Sequence, residues 1–172
     1  VTSPADREGL VGAKAAPEII VAPEDPASPP SVALLAALSR ALAALTGASG
    51  EASFDVGDVR GEGGLFVVAR DAAGTPLGCG AYRRLEPGIA ELKRMYAVPG
   101  NRGVGQALLD FLETRAREDG YAALWLETRR VNAHAVGFYR RHGYRPIDNY
   151  GRYVGRAETM CFAKSLVRAE RP

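Results

Sequence analysis

At 172 residues the chain has the length of one ordinary domain, with room for a proper core. Apolar residues at 47% and charged residues at 24% exclude a disordered chain, and a net charge of +2 gives no ground for a nucleic-acid partner. The most apolar stretch, Val32 to Leu45, is alanine-rich and broken by Ser39 and Arg40. It reads as an amphipathic helix and not a bilayer span, so the expectation is a cytoplasmic protein with no membrane partner.

Residues 1–17 lack the apolar core of a secretory signal and read as a mobile leader before a single domain over 18–168. Glu18 to Ala22 predicts a short strand. Ser31, just after Pro29 and Pro30, can cap a helix running to about Leu45. Gly47 to Gly64 is a glycine-rich acidic loop with one helical turn near Val56 to Val59. Three apolar runs with tight links follow, Leu65–Ala69, Leu77–Leu85 and Ile89–Val98, and predict an antiparallel meander.

The period then changes. Val104, Ala107, Leu108, Phe111, Leu112 and Ala116 recur at the spacing of a helix buried on one face, over Gly103 to Gly120. Ala122 to Leu126 predicts a strand. Asn132 to His142 predicts a second helix closed by Gly143. Tyr144–Ile147 and Glu158–Leu166 complete the set as two last strands. The fold class is therefore α/β (α+β), a mixed and mostly antiparallel twisted sheet with helices on both faces. The two cysteines, Cys79 and Cys161, fall inside apolar strands as packing residues, and their spacing suggests no metal site.

Arg102-Gly103-Val104-Gly105-Gln106-Ala107 joins a strand to a helix. Its glycines let a bound group approach the backbone, and the unpaired amides opening the helix favour an anion, with a diphosphate as the natural guest. Glycines that merely make a tight turn would look the same. A Walker lysine-serine pair and a full dinucleotide fingerprint are both missing, which argues against ATP and NAD. On the later helix Asn132 and Tyr139 lie two turns apart on nearly one face. Asn132 can serve as an N-cap alone, and Tyr139 as a core residue alone.

Taken together these segments resemble the GNAT superfamily of N-acetyltransferases. Arg102-x-x-Gly105-x-Ala107 is similar to its pyrophosphate-binding pattern. Asn132-x-x-Ala135-x-x-x-Tyr139-x-x-x-Gly143-Tyr144 is similar to its late helix, and Glu91 to Tyr96 resembles the strand that leads into the loop. The likeness spans roughly residues 62 to 166 with the motifs in order. One departure is a shorter loop: aligned from the helix, Gly103 and Gly105 become the paired glycines and Gly100 replaces an arginine, whereas aligned from the strand Arg102 keeps its role. Fewer amides would then meet the diphosphate, and weak cofactor affinity is the expectation.

The resemblance implies acetyl-CoA (coenzyme A) as cofactor, held by Met95, Tyr96, Ala97, Arg102, Gly103, Val104, Gly105, Gln106, Ala107 and Asn132. It implies direct attack of a small-molecule amine on the thioester, with an oxyanion donor among the amides near Tyr96 or Ala97. Tyr139 is the expected proton donor to the departing thiolate. Glu91 is the expected base and Glu127 its rival. Arg129 to Arg156 holds seven arginines against one acid, Asp148; the loop Asn149-Tyr150-Gly151-Arg152-Tyr153 is read as a substrate wall suited to polar or carboxylated ligands, with Tyr150, Arg152 and Glu127 as the substrate residues. Arg140 could pair with a coenzyme phosphate. Two alternatives stand beside this reading, a non-catalytic acyl-CoA-binding regulator and a protein N-acetyltransferase. A homodimer is left open.

Overall fold

The computed structural model describes residues 18–167; the leader expected over residues 1–17 lies outside them. Seven strands form one sheet: β1 (Ile20–Pro23), β2 (Leu65–Arg70), β3 (Pro76–Glu86), β4 (Ile89–Ala97), β5 (Ala123–Arg129), β6 (Arg145–Ile147) and β7 (Thr159–Ser165). Their order is β1-β2-β3-β4-β5-β7-β6. Four helices cover it: α1 (Pro29–Thr46), α2 (Val56–Arg60), α3 (Val104–Glu118) and α4 (Ala133–Arg141). The mixed, mostly antiparallel sheet with helices on both faces is the expected class.

The first three-strand run pairs antiparallel as a meander, β2 with β3 and β3 with β4. Each central strand is packed on both sides, so alternate residues feed different cores. Val67 and Ala69 point to the side of α3 and α4, with Leu108, Leu109, Leu112 and Tyr139. Phe66 and Val68 point to the side of α1 and α2, with Leu34 and Val59. Leu108, Leu109 and Leu112 lose all contact with water, which contributes about 1.5–3 kcal/mol each.

Helix α1 starts earlier than the sequence suggests. Ser28 is the N-cap, its Oγ accepting from the Ser31 amide at 3.4 Å, and the two prolines sit inside the first turn, where no N–H is needed. Gly47, at φ 77°, closes the helix with its N–H on the Ala43 carbonyl. With 18 residues and a mean hydropathy of 1.3, α1 reaches the length and apolarity of a membrane span by composition alone, a measure that a helix packed in a protein core also meets. It lies on the sheet through Leu34 and Leu38, while its alanines supply most of the remaining apolar character.

Gly78 shows why the meander needs glycine beside α3. A Cβ there would collide with the Tyr96 carbonyl oxygen, which is main chain and cannot yield, and would sit 2.8 Å from Val104 Cγ1. The missing side chain lets the start of α3 close against β3. Both cysteines are free and buried, and burial pushes the Cys79 thiol up to about 12. They pack; they do not react.

Candidate active site

The site begins as a fault in the sheet. β4 and β5 run parallel but pair only at Ile89–Ala123, Ala90–Leu124 and Glu91–Trp125. Beyond that seam β4 continues to Ala97 and β5 to Arg129 with no ladder between them. A cavity of about 300 Å³ fills the gap, walled by Lys93 and Met95 of β4, Glu127 of β5, and Asn132 and Tyr139 of α4.

On its other edge β4 is also irregular. Cys79 faces Tyr96 but Ala81 faces Lys93, so Arg94 and Met95 form a bulge opposite Gly80. Arg94 is the one non-glycine residue with positive φ (54°) among the described residues, a conformation that costs an L-residue about 1–2 kcal/mol. Its side chain holds it there: Nη2 donates to Ser39 Oγ at 2.8 Å, Nη1 donates to the Ser49 carbonyl at 3.1 Å, and the guanidinium lies over the Phe54 ring. A Cβ on Gly80 would come within 2.5 Å of Met95 Sδ, so glycine there leaves Met95 free to turn along the cavity. The bulge stands just before Tyr96 and Ala97. Those two pack mainly into the apolar clusters on either side of the sheet.

After β4, outside the cavity lining, α3 opens on Gly103 (φ 84°), with no side-chain cap. The first internal bond runs from the Ala107 N–H to the Gly103 carbonyl at 2.9 Å. The Val104, Gly105 and Gln106 amides are left facing outward. Val104 gives only its amide, since its side chain is fully buried. Arg102 and Gln106 are exposed at the rim, and Gly105 lies against Phe138 of α4. Asn132 caps α4, its side chain accepting from the Ala135 amide at 3.1 Å, and it also borders the cavity.

Tyr139 is buried from bulk solvent, yet its hydroxyl has no hydrogen-bond partner among the described residues. Burial raises its pKa, so the phenol keeps its proton at any ordinary pH. The neighbouring Tyr144 is different: its hydroxyl donates to Glu113 Oε1 at 3.1 Å.

The two candidate carboxylates have separate surroundings. Glu91 is fully buried and does not border the cavity. Oε2 accepts from Arg83 Nε at 2.9 Å and meets Nη2 at 2.8 Å; Oε1 accepts from the Tyr150 hydroxyl at 2.9 Å and lies 3.5 Å from Lys93 Nζ. Asp58 meets the outer side of the same Arg83. Both oxygens of this carboxylate are taken up by protein groups. Glu127 does border the cavity, and burial lifts its pKa above the ordinary carboxylate range against the pull of Lys93 and Arg129. Of the expected substrate wall, Arg152 also reaches the cavity, tied back by Nη1 donating to the Ala52 carbonyl at 2.8 Å. Tyr150 is turned away, onto Glu91 and Trp125.

Tyr153, from the expected wall loop, borders the same space, as do Lys93, Arg94 and Arg156, which were given no site role from the sequence. Lys93 donates to the Tyr153 hydroxyl at 2.9 Å, and burial lowers its pKa against the effect of Glu91. The signal for Lys93 was available. A central strand covered on both faces must bury its charges, and Glu91-x-Lys93 puts two of opposite sign on one face.

A slot between parallel strands with an unbonded phenol inside, and a helix that opens on unpaired amides after β4, suit a transferase that takes its group from a phosphorylated carrier. The acetyltransferase (GNAT) family model matches residues 36–144. The chain is 35% identical over 140 residues to IAA acetyltransferase of Azospirillum brasilense, covering 80% of this chain and 91% of that one. A shorter match, 46% over 48 residues, links it to streptothricin acetyltransferase of Streptomyces lavendulae, covering 27% and 25% of the two chains. Among solved structures, a GNAT-family acetyltransferase from Staphylococcus aureus shares the fold at a TM-score of 0.70 and 17% identity, over 87% of this chain and all of that one. The PaiA N-acetyltransferase of Thermoplasma acidophilum, solved with coenzyme A, does so at 0.64 and 16%, over 86% and 99%. The chain belongs to the GNAT family: it is an acetyltransferase, and acetyl-CoA is its acyl donor.

Proposed function

We propose that this enzyme acetylates the amine of a small molecule by direct attack, with Tyr139 as the proton donor and Glu127 as the base. The observation that carries the proposal is the unbonded Tyr139 hydroxyl in the split between β4 and β5. The hydroxyl bonds no protein group among the described residues and borders the cavity, where a guest can take its proton.

The residues present fit the donor. The Val104, Gly105 and Gln106 amides would meet its diphosphate, and Met95 and Asn132 would border its arm. When bound, acetyl-CoA supplies an activated thioester that an amine can attack. Main-chain N–H groups at the Arg94–Met95 bulge would be the donors available to the thioester carbonyl oxygen. Glu127 takes the amine's proton, and Tyr139 places its own where the departing sulfur needs it. Glu91 holds the strand that carries Lys93 and the bulge.

Titration calorimetry with acetyl-CoA tests the binding half, and Gly105→Ala is the informative variant. Its Cβ would stand 3.4 Å from the Phe138 ring, a tolerable contact, and alanine favours a helix. Stability should hold or rise, while the methyl obstructs the approach to the amides and weakens acetyl-CoA binding about tenfold or more. Unchanged affinity would remove the helix start from the binding site.

The pH profile tests the base. A carboxyl must be ionised to accept a proton, so activity should rise with pH through the raised pKa of Glu127. In Glu127→Gln that limb should disappear and kcat should drop about tenfold. Retention of the limb would return the role to another group.

A further inference from the structure

The cavity has two ends. One meets α4 and its Tyr139. The other reaches the opposite face of the sheet, where α1, the loop at Ser49–Ser53 and the turn after β6 close over it. Arg94 hangs from α1 and that loop, Arg152 is tied to Ala52, and Arg156 borders the same wall.

These arginines are uncompensated. None of the three makes an ion pair among the described residues, whereas Arg83 and Lys93 share Glu91 and Arg129 faces Glu158. Glu127 is the single acid on the wall, and it belongs to the far strand. Arg94 also carries a buried Nε with no partner, the one such side-chain atom among the described residues. The turn that presents Arg152 and Arg156 is fixed. Asn149 Nδ2 donates to the Tyr153 and Arg156 carbonyls, both at 3.0 Å, and Tyr153 is buried against Lys93. Two tethered guanidinium groups, Arg94 and Arg152, with the exposed Arg156 on the same wall, are an arrangement for binding an anion.

Resting on the acetyltransferase reading above, we infer that the acceptor amine also carries an anionic group, held by Arg94, Arg152 and Arg156 at the α1 end while its nitrogen faces Glu127. The shared chemistry is a carboxylate or a phosphate. The three arginines fix which end of the acceptor enters first, and a monoamine without an acid has nothing to hold it in register. The coenzyme's own phosphates do not account for these groups, because the free amides of α3 lie on the other face of the sheet.

The test is a thiol-release assay with acetyl-CoA on matched acceptors: aromatic and aliphatic primary amines, the amino acids that differ from them by one carboxylate, and the corresponding aminoalkyl phosphates. The expected result is a kcat/KM about tenfold to a hundredfold higher for the acidic member of a pair. In Arg156→Ala that ratio should collapse toward one. A preference for the phosphate over the carboxylate assigns the anion and supports the inference. Neutral amines turned over as well as their acidic partners would overturn the inference and leave the acetyltransferase reading intact. Failure of every amine, with acetyl-CoA bound by calorimetry, would overturn both. Arg152→Ala repeats the ratio measurement if the first variant is poorly folded.

Discussion

Replacing Glu91 with alanine is expected to lower the stability of the fold by about 3–5 kcal/mol, with Tm falling by roughly 10 °C. The carboxylate has no access to solvent and is met by Arg83, Tyr150 and Lys93. Its removal leaves a buried ammonium and a half-buried guanidinium without their common counter-charge, and leaves the Tyr150 hydroxyl without an acceptor. Desolvation of the orphaned charges, more than loss of the attraction itself, sets the size of the effect. Thermal unfolding monitored by circular dichroism measures it. Glu91→Gln separates structure from chemistry. If Glu91 were the base, the amide would erase turnover at any temperature. As an anchor, the variant should melt early and keep most of its activity per folded molecule well below its Tm.

The second large effect is kinetic. Tyr139→Phe should reduce kcat about a hundredfold, toward the lower end of what general acids contribute. The phenol is raised by burial and the thiolate leaves fairly well unaided, which together limit the loss. Because the hydroxyl has no protein partner among the described residues, its deletion breaks no bond in the fold, and Tm should be unchanged or higher. Acetyl-CoA affinity should change little. A fall in affinity equal to the fall in kcat would mean that Tyr139 holds the donor and gives no proton.

Much of the architecture was legible in the residues because its periods are clean. The three apolar runs of the meander, set apart by tight turns, and the one-sided helix at Val104–Ala116 are plain in the sequence, and Gly143 ends α4 with a positive φ of 85°. The helix boundary at Ser28 was less visible. Two serines compete to cap the same prolines, and the choice rests on Oγ geometry. The slot itself left no mark, since nothing in the composition of β4 or β5 says where their ladder stops. Glu91 and Glu127 were hard to rank for a related reason: both are carboxylates on strands beside basic residues. Only the position of the last paired rung, at Glu91–Trp125, puts one in the seam and the other in the opening.

That rung has an evolutionary side. The opening is made of hydrogen bonds that are not formed, and an unformed bond is encoded by no particular side chain. Substitutions can therefore accumulate over the sheet without closing it, as long as the three-rung seam survives. Selection for a new acceptor then falls on the turn after β6, which carries Arg152 and Arg156, and on the loop after α1 that walls the cavity beside them. Drift in the frame and adaptation at its rim are separable, so one inherited donor slot can be fitted to many amines.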